Sequence, residues 1–156
     1  MELSNDLSKA KSHALKFLSF RDHSGGELIK KLGKYYDKKT CLDALSWVRD
    51  AGYQSDRKYA EEYAVMLIKT KHYGVRKAKW EMKLKGLSEE ITEAALEGFD
   101  SREITKIIIG IIEKKYTPFL DDDKGLRKIT DALIRRGYEY DDIKSAIASV
   151  CEERYE

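Results

Sequence analysis

Arg76-Lys-Ala-Lys-Trp-Glu-Met-Lys-Leu-Lys-Gly86 is a short basic stretch with helical spacing, and two related stretches lie on either side of it. They are Glu27-Leu-Ile-Lys-Lys-Leu-Gly-Lys-Tyr-Tyr-Asp-Lys-Lys39 and Lys124-Gly-Leu-Arg-Lys-Ile-Thr-Asp-Ala-Leu-Ile-Arg-Arg-Gly137. Each reads as one short helix. In chain order their formal charges are +3, +4 and +4, while the whole chain is +2, so the remainder carries −9. Positive charge is confined to one element per copy, which points to a polyanion or to a partner already holding one.

The copies define a period. Ser24, Gly74 and Gly125 open the three segments, 50 and 51 residues apart, and twelve residues after each stands Tyr36, Gly86 or Gly137. A period of about 50 residues marks an array of structural units. Each period holds three apolar stripes at helical spacing. The first has Leu7, Ala10, Ala14, Phe17 and Leu18, then Leu28, Ile29 and Leu32, then Leu42, Leu45 and Val48. In the second, Ala60, Tyr63, Ala64, Leu67 and Ile68 precede Val75, Ala78 and Met82, followed by Ile91, Ala95 and Leu96. The third runs from Ile104, Ile107, Ile108, Ile111 and Ile112, past Pro118, to Leu126, Ile129 and Leu133, and closes on Ile143, Ala146, Ile147 and Val150. Ser24 with Glu27 and Asp100 with Glu103 have capping-box spacing, and Gly52 is placed to stop a helix in the left-handed conformation. The prediction is an all-α, elongated tandem array of three three-helix repeats, at 1–55, 56–100 and 101–156.

Composition agrees. The chain is 42% hydrophobic and 37% charged with one proline, apolar enough to fold and too balanced in charge for disorder. Cys41 and Cys151 form no CxxC pair and read as small buried residues of a reducing compartment. The N-terminus lacks the pattern of a signal peptide, and the apolar run Ile107 to Ile112 is far too short to span a bilayer. A soluble, cytoplasmic protein is expected, with no membrane association.

Catalytic constellations are missing from this reading. His13, His23 and His72 share no helix face and are read as surface or half-buried side chains. Asp121-Asp-Asp-Lys-Gly125 lacks the glycine and glutamate positions of a calcium loop, so it is read as negative charge at a helix N-terminus. There is no Walker lysine, no GxSxG and no nucleophile with a base to activate it. No enzyme activity, cofactor or metal is expected.

The basic helices carry the functional signal. At 100° per residue, Val75, Ala78 and Met82 face one way in the second helix, while Trp80 and Leu84 face the other, flanked by Arg76, Lys77 and Lys83. Trp80 could stack on a base or anchor a protein interface. Alternatively it packs on the neighbouring repeat with its N–H at the rim. A solvated face explains one basic helix, but three at equivalent places imply a stripe of stacked units.

Four stretches give the chain a family likeness. They are Arg21-Asp-His-Ser-Gly-Gly-Glu-Leu28, Ala51-Gly-Tyr-Gln-Ser-Asp-Arg-Lys-Tyr-Ala60, Tyr73-Gly-Val-Arg-Lys-Ala-Lys-Trp-Glu-Met-Lys-Leu-Lys-Gly86 and Arg135-Arg-Gly-Tyr-Glu-Tyr-Asp-Asp-Ile143. In this order and spacing the chain resembles the bacterial RecX regulators over roughly residues 10 to 150. It departs from their pattern at Gln54-Ser55 and, within the second helix, at Ala78 and Met82. The resemblance implies a non-enzymatic three-helix-repeat protein that binds the RecA recombinase filament on DNA. Such a protein restrains strand exchange and coprotease activity, and so dampens recombination and the SOS response.

Charge and spacing rank the contact candidates. Arg76, Lys77, Lys79, Lys83 and Lys85, with Trp80 among them, come first. Arg127, Lys128, Arg135 and Arg136 follow, then Lys30, Lys31 and Lys34. The expected partner is the RecA–DNA filament, with single- or double-stranded DNA bound only weakly alone by a monomer. One rival is a free-standing DNA-binding helical-repeat adaptor, which would bind naked DNA tightly with steep salt dependence. The other is a purely protein-binding scaffold, indifferent to reversal of the basic charges.

Overall fold

The protein's fold is that of a computed structural model, in which residues 2–154 are described. Among the described residues there are nine α-helices: α1 (Leu7–Phe20), α2 (Gly25–Leu32), α3 (Lys38–Asp50), α4 (Asp56–Val65), α5 (Val75–Leu84), α6 (Glu89–Leu96), α7 (Ser101–Ile111), α8 (Asp123–Arg135) and α9 (Tyr140–Arg154). Single π-helical turns extend α4 and α7, at Met66–Thr70 and Ile112–Tyr116, and Pro118 lies in a 3-10 turn, Thr117–Phe119. No strand occurs among these residues; a lone bridge joins Ser4 to Tyr36. Among the described residues no helix is long and apolar enough to cross a membrane.

Short polar side chains set the helix starts. The Ser24 hydroxyl accepts from the Glu27 amide while the Glu27 carboxylate accepts from the Ser24 amide, a complete capping box. Loss of such a cap costs about 1 kcal/mol. Asp6, Asp37, Asp100 and Asp122 accept from the amide three residues on, and Ser55 and Ser88 do the same for Lys58 and Ile91. Gly52 stops α3 at φ 83, a torsion that favours glycine.

Two expectations need correction. The first basic stretch is not one helix. Gly33 ends α2, and Asp37 caps a new one by accepting from the Thr40 amide, so Lys38 and Lys39 belong to α3. In α3 the expected Leu45 and Val48 are buried, but Cys41 and Ala44 complete the inner stripe in place of Leu42, which is left 48% exposed. Cys41 is buried, as its apolar setting requires, whereas Cys151 is only partly so.

The chain packs as two compact units. The first comprises residues up to Tyr63 with Met82–Ala95. Its core joins α1, α2 and α3 through Ala10, Ala14, Leu28, Leu32, Ala44 and Val48, all without solvent exposure. A leucine buried this fully contributes about 2 kcal/mol. The second comprises Ala64–Glu81 with the residues from Leu96 onward. There α7 lies along α9, and Ile108, Ile112, Ile129, Leu133, Ile143 and Ala146 are fully buried.

Candidate nucleic-acid interface

Helix α5 turns Ala78 and Met82 inward at 0% exposure, and its outer face carries Arg76, Lys79, Trp80, Lys83 and Leu84. Trp80 is 58% exposed and Leu84 63%. Two large apolar side chains that remain wet between cations are surface available to a ligand.

The cations of α5 and Lys85, the residue that follows it, are not equivalent. Among the described residues Lys79 and Lys83 have no ion pair or hydrogen-bond partner. Arg76 is paired with Glu139 at 3.1 Å. Lys77 folds over the Tyr73 ring, 4.1 Å from its centre. Lys85 lies 3.5 Å from the Glu27 carboxylate. Burial pushes the Glu27 carboxyl up, but hydrogen bonds from Arg21, the Ser24 amide and Tyr59, with Lys85 nearby, outweigh it and hold the group at about 2. Glu27 is therefore a fixed negative charge.

In the first unit α2 meets the end of α5. Gly26 and Gly86 approach backbone to backbone, and the Ser24 hydroxyl donates to the Lys85 carbonyl at 2.5 Å. The junction gathers Lys30 and Lys31 of α2 and Lys34 just beyond it with Leu84 and Lys85 around a cleft of about 370 Å³, with Glu27 on its wall. Lys30 and Lys34 are exposed and unpaired among the described residues. Lys31 is not: its ammonium donates to His23 Nε2 at 2.7 Å and lies 5.2 Å from the centre of the Phe17 ring. His23 Nδ1 is 2.9 Å from the Arg21 carbonyl, which only accepts, so the Nδ1 proton donates there and Nε2 is free to receive Lys31. Burial lowers the His23 pKa; the bond to Arg21 opposes this, and the charges of Arg21 and Lys31 add to it.

In the second unit the start of α5 meets the end of α8. The Gly74 amide donates to the Arg136 carbonyl at 2.7 Å and the Arg76 amide to the Gly137 carbonyl at 3.2 Å. Orphan donors of one helix thus satisfy orphan acceptors of another. Gly137 takes φ 96, and Gly74 leaves no room for a Cβ against it. Arg136 is part of this junction: Nε donates to the His72 carbonyl at 3.2 Å and Nη2 to the Lys71 carbonyl at 3.1 Å. Arg127, Lys128 and Arg135 are exposed, with Lys128 resting 6.0 Å from the Phe119 ring centre. Arg127 and Arg135 are two turns apart, about 12 Å along the axis.

The candidates therefore sort into three settings. Lys30, Lys31 and Lys34 are brought together with Lys85; Lys79, Trp80 and Lys83 share the open face of α5; Arg136 is drawn into a junction away from Arg127 and Lys128. Sequence reasoning missed Lys106, Lys114 and Lys115, which line a cleft beside Arg136. The signal was the spacing of Lys106, Gly110 and Lys114 on the polar side of an isoleucine-rich helix.

Residues 55–96 match the family model of the second three-helix domain of RecX, and 98–147 that of the third. The chain is 29% identical over 148 residues to the regulatory protein RecX of Chlorobaculum tepidum, covering 94% of this chain and 91% of that protein. It is 26% identical over 156 residues to the regulatory protein RecX of Clostridium perfringens strain 13, covering 97% and 73%. The fold is similar to a crystal structure of RecX from Lactobacillus salivarius, with a TM-score of 0.86 at 24% identity, over 95% of this chain and 98% of that one. A second crystal structure of a regulatory protein RecX gives 0.82 at 20% identity, over 90% and 72%.

Proposed function

Because the chain belongs to the RecX family of regulatory proteins, we propose that it binds the RecA–DNA filament and restrains RecA's recombinase and coprotease activities in DNA repair and the SOS response. One observation supports this above the rest. Along α5 the cations Lys79 and Lys83 and the apolar Trp80 and Leu84 stand exposed, with no ion pair among the described residues for either lysine. Unpaired cations attract a polyanion over long range, and an exposed aromatic adds stacking or anchoring area on contact. The cleft of Lys30, Lys31, Lys34 and Lys85 extends the basic surface of the first unit.

In this reading the protein is a cytoplasmic monomer that needs no cofactor and catalyses no reaction. Its working divisions are the three-helix repeats at 1–55, 56–100 and 101–156. Lys79, Trp80, Lys83, Lys30, Lys34, Arg127 and Arg135 make the outward contacts. Arg76, Lys77, Lys85, Lys31, Lys128 and Arg136 hold local structure and add charge. The test is co-sedimentation with RecA assembled on single-stranded DNA, run beside the same DNA alone. The expected result is retention by the filament at concentrations where naked DNA retains little. Equal binding to naked duplex, falling steeply with salt, would replace this reading with the free-standing DNA adaptor.

A further inference from the structure

Gly110 lies inside α7, where a glycine costs about 1 kcal/mol relative to alanine. Gly74 and Gly137, in the same unit, are explained by backbone pressed against them, but nothing lies within 4 Å of where a Gly110 Cβ would stand. Its torsions are those of an ordinary helix, so neither packing nor conformation calls for glycine there. The missing side chain instead opens a cleft of about 340 Å³ in the second unit. Lys106 and Lys114 flank Gly110 at four positions on either side. The π-helical turn at Ile112–Tyr116 changes the helical phase, and both Lys114 and Lys115 line the cleft.

The electrostatics of this cleft are one-sided. Lys106, Lys114, Lys115 and Arg136 line it with His72, and no carboxylate does. The three lysines have no ion pair or hydrogen-bond partner among the described residues. Arg136 is already oriented by the Lys71 and His72 carbonyls. His72 holds a left-handed backbone, φ 57, rare outside glycine. Arg136 and Tyr138, which both donate to its carbonyl, keep it there. Ile107 and Ile111 supply an apolar floor. Like charges held together repel one another unless an anion sits among them.

We infer that this cleft is a second binding site, which takes the backbone phosphate of a nucleic-acid strand close against α7 at Gly110. The lysines and Arg136 face the phosphate, and the sugar and base edge rest on Ile107 and Ile111. The inference rests on the filament reading only in taking nucleic acid as the source of the anion. The shape, charge and open glycine are independent of it.

The test measures binding of a fluorescein-labelled oligothymidylate at low ionic strength by wild-type protein, Gly110→Leu and the double variant Lys106→Ala with Lys114→Ala. Helicity is followed in each, and Gly110→Ala serves as the milder filling variant. Gly110→Leu and the double variant should each lose affinity on the order of tenfold. In the double variant the salt dependence should flatten by about 0.7 for each phosphate no longer neutralised, a change that altered packing alone does not produce. Inorganic phosphate should compete only at far higher concentration than the oligonucleotide. Unchanged affinity and salt slope in folded variants, or no oligonucleotide binding by the wild type, overturns the site. So does loss of a polyglutamate ligand by the same variants while DNA binding persists. Filament binding by wild type with all variants unaffected sinks the cleft alone. Oligonucleotide binding that follows the cleft, with no filament binding, sinks the filament reading alone.

Discussion

Arg136 donates through Nε to the carbonyl of His72 at 3.2 Å and through Nη2 to that of Lys71, while its own carbonyl accepts from the Gly74 amide at 2.7 Å. Arg135, its neighbour in sequence, is exposed with no such partner. Two arginines that composition treats alike therefore differ in kind. Arg136→Ala should lower unfolding free energy by about 1–2 kcal/mol, through loss of charge-assisted hydrogen bonds. Arg135→Ala should stay within about 0.5 kcal/mol of wild type yet weaken filament binding. Urea denaturation of both variants checks the difference, and equal stability would remove Arg136 from the junction.

The Gly74 and Gly137 contact makes a sharper stability prediction. A Cβ on either residue meets backbone of the other segment, and Gly137 also has φ 96. Gly74→Ala should cost about 2–3 kcal/mol, since neither backbone has a rotamer with which to yield. Gly110→Ala, by contrast, should gain up to about 1 kcal/mol, because its Cβ enters open space. Thermal melts of the pair should move in opposite directions.

The capping carboxylate Glu27 predicts an acid response. Burial alone would raise its pKa, but the bonds from Arg21, Ser24 and Tyr59 hold it at about 2, below its ordinary 4.5. A depressed carboxylate stabilises the fold fully above its unfolded pKa, and that stabilisation fades as pH falls toward the folded value. Discounted for solvent reaching the site, the effect is about 1–2 kcal/mol between pH 4.5 and 2. Glu27→Gln should flatten stability over that window, and a variant with the wild-type slope would contradict the assignment.

Trp80 tests the outward face of α5. At 58% exposure it contributes little to folding, so Trp80→Ala should leave the melt nearly unchanged. If the ring stacks on a base or fills a partner pocket, the same variant should lose about 1–3 kcal/mol of filament affinity, with Trp80→Phe recovering part of it. Unchanged affinity would make the ring a spectator.

Much of this architecture was readable from periodicity. The stripes of α1, α2, α5, α8 and α9 each have a buried centre, at Ala10 and Ala14, Leu28 and Leu32, Ala78 and Met82, Ile129 and Leu133, and Ile143, Ala146 and Val150. Ser24 and Gly52 act as their spacing predicted, while Asp100 forms only its own half of the capping box, accepting from the Glu103 amide. Local chemistry writes such features into a few neighbouring residues. Leu42 was misplaced because Cys41 and Ala44, weaker apolar signals, form the true inner stripe. The π-helical turns after α4 and α7 escaped because one inserted residue shifts phase without changing composition. The division among the basic residues escaped for a different reason. Whether Arg136 faces solvent or a carbonyl depends on residues more than sixty positions away, and no local pattern encodes that. The cleft around Gly110 has the same origin, since His72 and Arg136 reach it only through the tertiary fold.

The most direct measurement of the central proposal is RecA-dependent ATP hydrolysis on single-stranded DNA, with wild-type protein titrated against Lys79→Glu with Lys83→Glu. Both lysines are exposed and unpaired among the described residues, so reversing them should leave helicity and melting intact. Wild-type protein is expected to inhibit at or below stoichiometric amounts. Inhibition should be weakened on the order of tenfold or more in the charge-reversed variant, as expected for contacts to a polyanion. Wild-type protein that leaves hydrolysis unchanged at stoichiometric levels, or a folded variant that inhibits equally well, would contradict it.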